Sequence, residues 1–297
     1  SYGEGKLLAV VPSDGSGDLD VVRATSAMRT NPSGFLEDAC YNLLGYSEGF
    51  DNSYWTKNNS TVVLSDKLIG IQSYNLIPNS GVVGNITRTA LTPQDGSFYT
   101  RSIYVRKFGV RYVGLYSNAS SVQARGAIFD LDNKVVTYVG SQINSAEIED
   151  LGNNILRLTT VGTCFNSTVD DYQIVLSPDG INSDNYIGNG IDGVTIFGAQ
   201  AVLGTLPKPY QKTTDRLNVP RIDYADDGCP SILVEPQKTN LLPYSENFSQ
   251  WDKNSSTTIT SNSLVSPDGT QNASLIVETG GGSRVGYNIS VISGNIY

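Results

Sequence analysis

The chain is predicted to be all-β, a two-sheet sandwich followed by the opening of a second one. Three observations predict this. Only 16% of its 297 residues are charged, while Gly, Ser, Thr and Asn abound, a composition that suits short strands and turns better than long salt-bridged helices. Alternating apolar and polar runs bounded by Gly, Asn, Asp or Pro recur about eight times, enough for two packed sheets. One phrase also returns: LLGYSEGFDNSYWTKN (43–58) reappears as LLPYSENFSQWDKN (241–254), each copy with one of the two tryptophans.

The elements follow in order. Residues 1–38, with PSDGSGDLD and NPSG, read as an irregular lead or attachment segment. Asp14, Asp18 and Asp20 there lack the spacing of an EF-hand loop and read as a solvated turn. A first strand is expected at STVVLSDK (60–67). RSIYVRK (101–107) alternates, with Ile103 and Val105 on one face and Ser102, Tyr104 and Arg106 on the other. RYVGLYS (111–117) repeats the pattern, with Val113 and Leu115 inward and Tyr112, Gly114 and Tyr116 outward. As adjacent strands, these two would show their tyrosines on one outer face. QARGAIFDL and KVVTYV flank Asp132-Asn133-Lys134 as a hairpin. ILRLTTVGT (155–163), YQIVLS (172–177) and GVTIFGAQ (193–200) complete the set.

The repeat divides the chain further. Asn42, Tyr46, Ser47, Glu48 and Phe50 match Asn240, Tyr244, Ser245, Glu246 and Phe248 at an offset of 198. GSFY (96–99) falls on GNIY (294–297), so the second copy covers only the first third of a module. Residues 39–214 are the expected complete module and 239–297 the truncated copy, with the natural polypeptide expected to continue beyond Tyr297. The proline-rich stretch 204–237 holds five of the twelve prolines and reads as extended and semi-rigid, and residues 215–238 are taken as the connector.

Several classes of function are excluded or disfavoured. A net charge of −9 and a pI near 4.5 argue against nucleic acid as a partner, because neutralising phosphates takes clustered Lys and Arg. The longest apolar runs, such as LLAVV (7–11), fall far short of a membrane span, and SYGEGK has no basic region followed by an apolar one, so neither insertion nor a Sec-type leader is expected. The absence of histidine removes Ser-His-Asp and Cys-His catalysis and imidazole metal ligands. Cys40, Cys164 and Cys229 have no CxxC spacing and are expected as buried thiols. Glu147, Glu149 and Asp150 in AEIED resemble a glycosidase carboxylate pair in type but sit beside one turn, so no enzyme is expected. The N-x-S/T matches, including Asn85 and Asn166, would mark glycosylation only in a secretory eukaryotic context.

NLLGYSEGF, FYTRSIYVRK, GAIFDLDNKVV, IEDLGNNILRLTTVGT and GNGIDGVTIFGAQAVLGTLPKPYQKTT together resemble, over residues 42–214, the carbohydrate-binding-module-like jelly-roll domains of bacteriophage and prophage head-fibre, tail-fibre and other adhesin proteins. Phe197 stands where that family commonly has Trp. The connector and the N-terminal lead resemble segments of the same proteins. The resemblance implies a jelly roll, a non-enzymatic virion-surface protein, a dimer or trimer, contact with other capsid or tail proteins, and adhesion to host or environmental glycans. A polysaccharide depolymerase with its catalytic domain beyond residue 297, and a ligand-free packing protein, are the alternatives.

A glycan face needs flat aromatic surfaces and hydroxyl-satisfying polar groups. Tyr104, Arg106, Tyr112 and Tyr116 supply both, though the same residues also suit an ordinary outer strand face. Trp55 is a further stacking candidate, but a Trp repeated at a fixed module position, as in Trp55 and Trp251, reads first as packing. The resemblance also implies a structural calcium, for which Glu48, Asp51, Asp184 and Asp192 are the candidate ligands; solvated acids are the competing reading.

Overall fold

The computed structural model describes residues 2–3, 6–8, 18–91, 97–117, 122–163, 170–182, 186–214, 216–224, 229–234, 241–245, 247–266 and 271–290. It divides into two compact units, Ser1–Ile232 and Leu233–Tyr297.

Twelve strands build the sandwich of the first unit: β1 (Thr56–Asn58), β2 (Ser60–Leu64), β3 (Tyr74–Pro78), β4 (Asn85–Leu91), β5 (Phe98–Phe108), β6 (Tyr112–Tyr116), β7 (Gly126–Asp130), β8 (Val135–Val139), β9 (Ile143–Asp150), β10 (Ile155–Thr163), β11 (Asp170–Ser177) and β12 (Gly193–Leu203). They pair antiparallel into two six-stranded sheets, β9-β10-β5-β12-β3-β2 and β8-β7-β6-β11-β4-β1. The eight expected strands are all present, as β2, β5, β6, β7, β8, β10, β11 and β12. The fold is all-β, a jelly-roll sandwich. The described helices are single 3₁₀ turns such as Val122–Arg125, and none of them could cross a membrane.

Alternation explains the core. Ile103 and Val105 of β5, Leu156 and Leu158 of β10, and Val194 and Ile196 of β12 point inward from the first sheet. Val113 and Leu115 of β6, Phe129 of β7, and Ile174 and Leu176 of β11 meet them from the second. Each such side chain, removed from water, contributes about 1.5–3 kcal/mol before ordering costs.

β5 and β6 join through a tight corner at Gly109, but they belong to different sheets. The expectation that they lie side by side is therefore corrected. Ile103 and Val113 both point into the core from opposite sides, so the outer residues of the two strands face away from each other.

AEIED ends edge strand β9, directly beside the β9–β10 turn, and its Glu147 and Glu149 are exposed. Charge on an edge strand discourages pairing with another chain.

The repeated phrase ties the start of the module to its end. Asn42 is fully buried; its amide nitrogen donates to the carbonyls of Ala199 (3.1 Å) and Gln211 (2.9 Å), and its Oδ1 accepts from the amides of Leu44 (3.1 Å) and Ala201 (3.2 Å). Ser47 Oγ lies 2.7 Å from the Tyr210 hydroxyl and accepts from the Thr213 amide. Trp55 is 1% exposed, packs on Phe50, Tyr54 and Tyr172, and donates from Nε1 to the Tyr46 carbonyl at 3.0 Å.

The lead and the expected connector also fold together. A hairpin of Met28–Thr30 and Leu36–Asp38 carries a buried Arg29–Glu37 ion pair (2.8 Å), and Arg29 also donates to the Ile222 carbonyl. Tyr224 N donates to Thr30 O, and Ile222–Asp223 pairs with Ser231–Ile232. Residues 216–224 are thus folded onto the lead rather than extended as a free connector. Cys40 is buried as expected, but Cys229 is exposed; Cys164 lies outside the described residues.

In the second unit, β13 (Asp252–Lys253), β14 (Thr257–Leu264), β15 (Ala273–Glu278) and β16 (Val285–Gly286) form two ribbons, β13 with β16 and β14 with β15. In the first unit β1 pairs with β4 and β2 with β3, so the repeat extends to pairing. Trp251 Nε1 donates to Tyr244 O at 3.0 Å, as Trp55 does to Tyr46 O. Tyr46 and Tyr244 share a left-handed backbone, with φ of 47° and 56°.

Candidate functional site

The four outer-face candidates split between two sides of the sandwich. Tyr104 and Arg106 stand on the outer face of the first sheet, Tyr112 and Tyr116 on that of the second.

Tyr104 is not an open platform, being only 8% exposed. Its ring stacks on Phe197 at 5.5 Å, meets Tyr210 edge-on at 5.8 Å, and lies under the Arg157 guanidinium at 5.6 Å. Leu68 and Ile71 close this small second core. Burial raises the Tyr104 phenol above its ordinary pKa. Position 197 therefore carries a packing ring.

Tyr116 is 1% exposed, because it folds flat over Gly126, where a Cβ would come within 2.1 Å of the ring. Tyr112 and Tyr138 flank this cluster and keep partial exposure, with the Arg111 guanidinium 4.9 Å from the Tyr112 ring centre. Of the proposed stacking residues, Tyr112 alone reaches solvent to a useful extent, since Trp55 is core.

The three described carboxylates expected to hold calcium, Glu48, Asp51 and Asp192, do not group into a metal site. Glu48 accepts from Tyr210 OH (3.2 Å) and the Gln72 amide (3.3 Å) and pairs with Lys212 at 3.0 Å. Asp51 accepts from Tyr74 OH at 2.9 Å; burial, aided by that bond, pushes the Tyr74 phenol up to about 12. Asp192 accepts from the Asn189 amide at 2.7 Å, and Asp184 lies outside the described residues. Among the described residues no three acidic or cysteine side chains group to hold a metal. A lysine-neutralised Glu48 and dispersed partners do not fit an ion that takes six to eight oxygens.

What the sequence did not bring together is a cleft of about 420 Å³ at one end of the sandwich. The end of β5 supplies Arg106 and Lys107, the β7–β8 turn Leu131, Asp132 and Lys134, and the β9–β10 turn and start of β10 Asn154 and Leu156. Lys134 and Asn154 adopt left-handed backbone, which fixes those two turns. Around the cleft the charges pair closely: Lys107 with Asp132 (2.6 Å), Lys134 with Asp150 (2.6 Å) and Arg111 with Asp130 (2.6 Å). The Asp132-Asn133-Lys134 and Asn153-Asn154 turn signals were readable in the sequence; their meeting at one end depends on which strands share a sheet.

No family model matches the chain, and no curated protein matches it. Solved structures with similar outline include the enzymatically active domain of tailspike protein 4 from bacteriophage CBA120, 16% identical, TM-score 0.34, over 55% of this chain and 21% of that one. The CBM22-1 xylan-binding domain of Paenibacillus barcinonensis Xyn10C is 16% identical, TM-score 0.33, over 56% of this chain and 96% of that one. The CBM22-1-GH10 modules of Clostridium thermocellum Xyn10B, complexed with xylohexaose, are 13% identical, TM-score 0.35, over 58% of this chain and 30% of that one. The chain thus spans about a fifth of the tailspike domain's length. At such identity and TM-score, no residue of the site is carried over from any of them. The sheets themselves define the class: an all-β protein of the jelly-roll sandwich kind.

Proposed function

We propose that the chain belongs to a non-enzymatic fibre component of a bacteriophage head or tail, exposed on the virion surface, that attaches the particle to host or environmental glycans. The observation that carries this reading is the module opening built twice in one chain, with the same tryptophan-to-carbonyl bond and the same strand pairing. Shallow sites bind weakly, and repetition along a chain and across a dimer or trimer raises effective concentration enough to make weak contacts useful. The resemblance of residues 42–214 to fibre adhesin domains supports the same reading.

The test is a glycan array probed with the full chain, its oligomeric state fixed by light scattering. Retention by a defined set of surface polysaccharides is expected; no retention by any would overturn adhesion. One observation favours a purely structural reading instead: Tyr104, Tyr116 and Trp55 are consumed by packing. Released oligosaccharide on incubation with host capsule would point to a depolymerase.

A further inference from the structure

Among the described residues, Arg106 is the cation of the cleft lining that has no acid of its own. Lys107, Lys134 and Arg111 each have a carboxylate within 2.6 Å. Arg106 lines the same cleft, is half-buried, and makes no hydrogen bond or ion pair among the described residues. Three cations face one carboxylate, Asp132, in the cleft lining, although the chain as a whole is acidic, with 29 Asp and Glu against 20 Lys and Arg.

We propose that this cleft binds the carboxylate of an acidic sugar unit, a uronate within a polysaccharide, through Arg106. The inference rests on the adhesion reading and names its ligand class. A guanidinium meets a carboxylate with two parallel N–H donors, a geometry lysine cannot offer. About 420 Å³ lies within the range of small-ligand sites. Leu131 and Leu156 line the cleft but are themselves buried in the core, so recognition falls to its polar rim. Asn154 and Asp132 offer a donor and acceptors for the sugar's hydroxyls, groups an acidic peptide would leave unused. A polyanion approaching an acidic protein is repelled except where cations are gathered, so the site supplies selectivity by place.

The experiment is affinity electrophoresis of the full chain in gels containing sodium polygalacturonate, neutral dextran or polyglutamate. Retardation by polygalacturonate is expected, fading as NaCl rises from about 0.05 M to about 0.5 M. Arg106→Gln, checked for an unchanged melting temperature, should weaken it about tenfold, and Arg106→Lys should fall between. Absence of retardation at low salt, equal retardation of Arg106→Gln, or equal retention by polyglutamate would each overturn the inference. Array binding to neutral glycans without polygalacturonate binding would leave adhesion standing and remove only this ligand; binding to nothing would remove both.

Discussion

Asp130 concentrates five hydrogen bonds on one nearly buried carboxylate. Arg111 donates from Nε and Nη2 at 2.9 and 2.6 Å, and the amides of Asp132 and Asn133 and the Asn133 side chain complete the set. The Arg111 bond first, and the two turn amides after it, hold this carboxyl well below the usual carboxylate range despite its burial. A folded-state pKa below the unfolded value adds stability that is complete above the unfolded pKa of about 4 and is lost as pH falls through the folded one. Thermal melting from pH 7 to about pH 2 should therefore show an acid-side loss of stability in the parent chain that is smaller in Asp130→Asn, with the variant already less stable at pH 7. Identical acid profiles would sink the assignment. The turn at Asp132-Asn133-Lys134 is legible in the sequence, because the residue types announce it. The clamp on Asp130 is not, because Arg111 reaches it from the corner that precedes β6. Asn42 shows the same limit: its repetition marks it as important, but three buried hydrogen bonds of its side chain to residues more than 150 positions away follow only from the closed sandwich.

At the scale of elements, periodicity located strands far better than it located partners. Eight strands follow from alternation and turn residues. The four missed are short, as in β1, end on a proline, as in β3, or carry charge or hydroxyls where apolar residues would mark a face, as in β4 and β9. The more consequential miss is the corner after β5. A short connection reads as a hairpin within one sheet, yet here it crosses between sheets and sends Tyr104 and Tyr112 to opposite sides. Close approach governs another junction, between β12 and β3. A Cβ at Gly193 would lie 2.0 Å from the Leu76 carbonyl oxygen, and backbone cannot swing aside as a side chain can. Gly193→Ala should cost about 2 to 3 kcal/mol, seen as a lower urea midpoint with an unchanged slope. An unchanged midpoint would mean that β3 is free to move.

At the scale of the molecule, the two units repeat one opening but differ in what surrounds it. Leu76 in β3 is fully buried, whereas Leu275, Ile276 and Val277 in β15 are all exposed, and Ser245 is exposed where Ser47 is buried. The tryptophans share this contrast: Trp55 is 1% exposed and Trp251 is only half-buried, although both make the same bond. The chain consequently carries a built-in optical reporter in each unit. Trp55 should emit toward the blue and resist acrylamide, and Trp251 should emit further to the red and be quenched readily. Trp251→Phe would leave a signal that follows the sandwich alone through denaturation, and Trp55→Phe one that follows the second unit. Equal quenching of the two emissions would contradict the burial described for them. A single fluorimeter cuvette could then read the stability of each module separately within the intact chain.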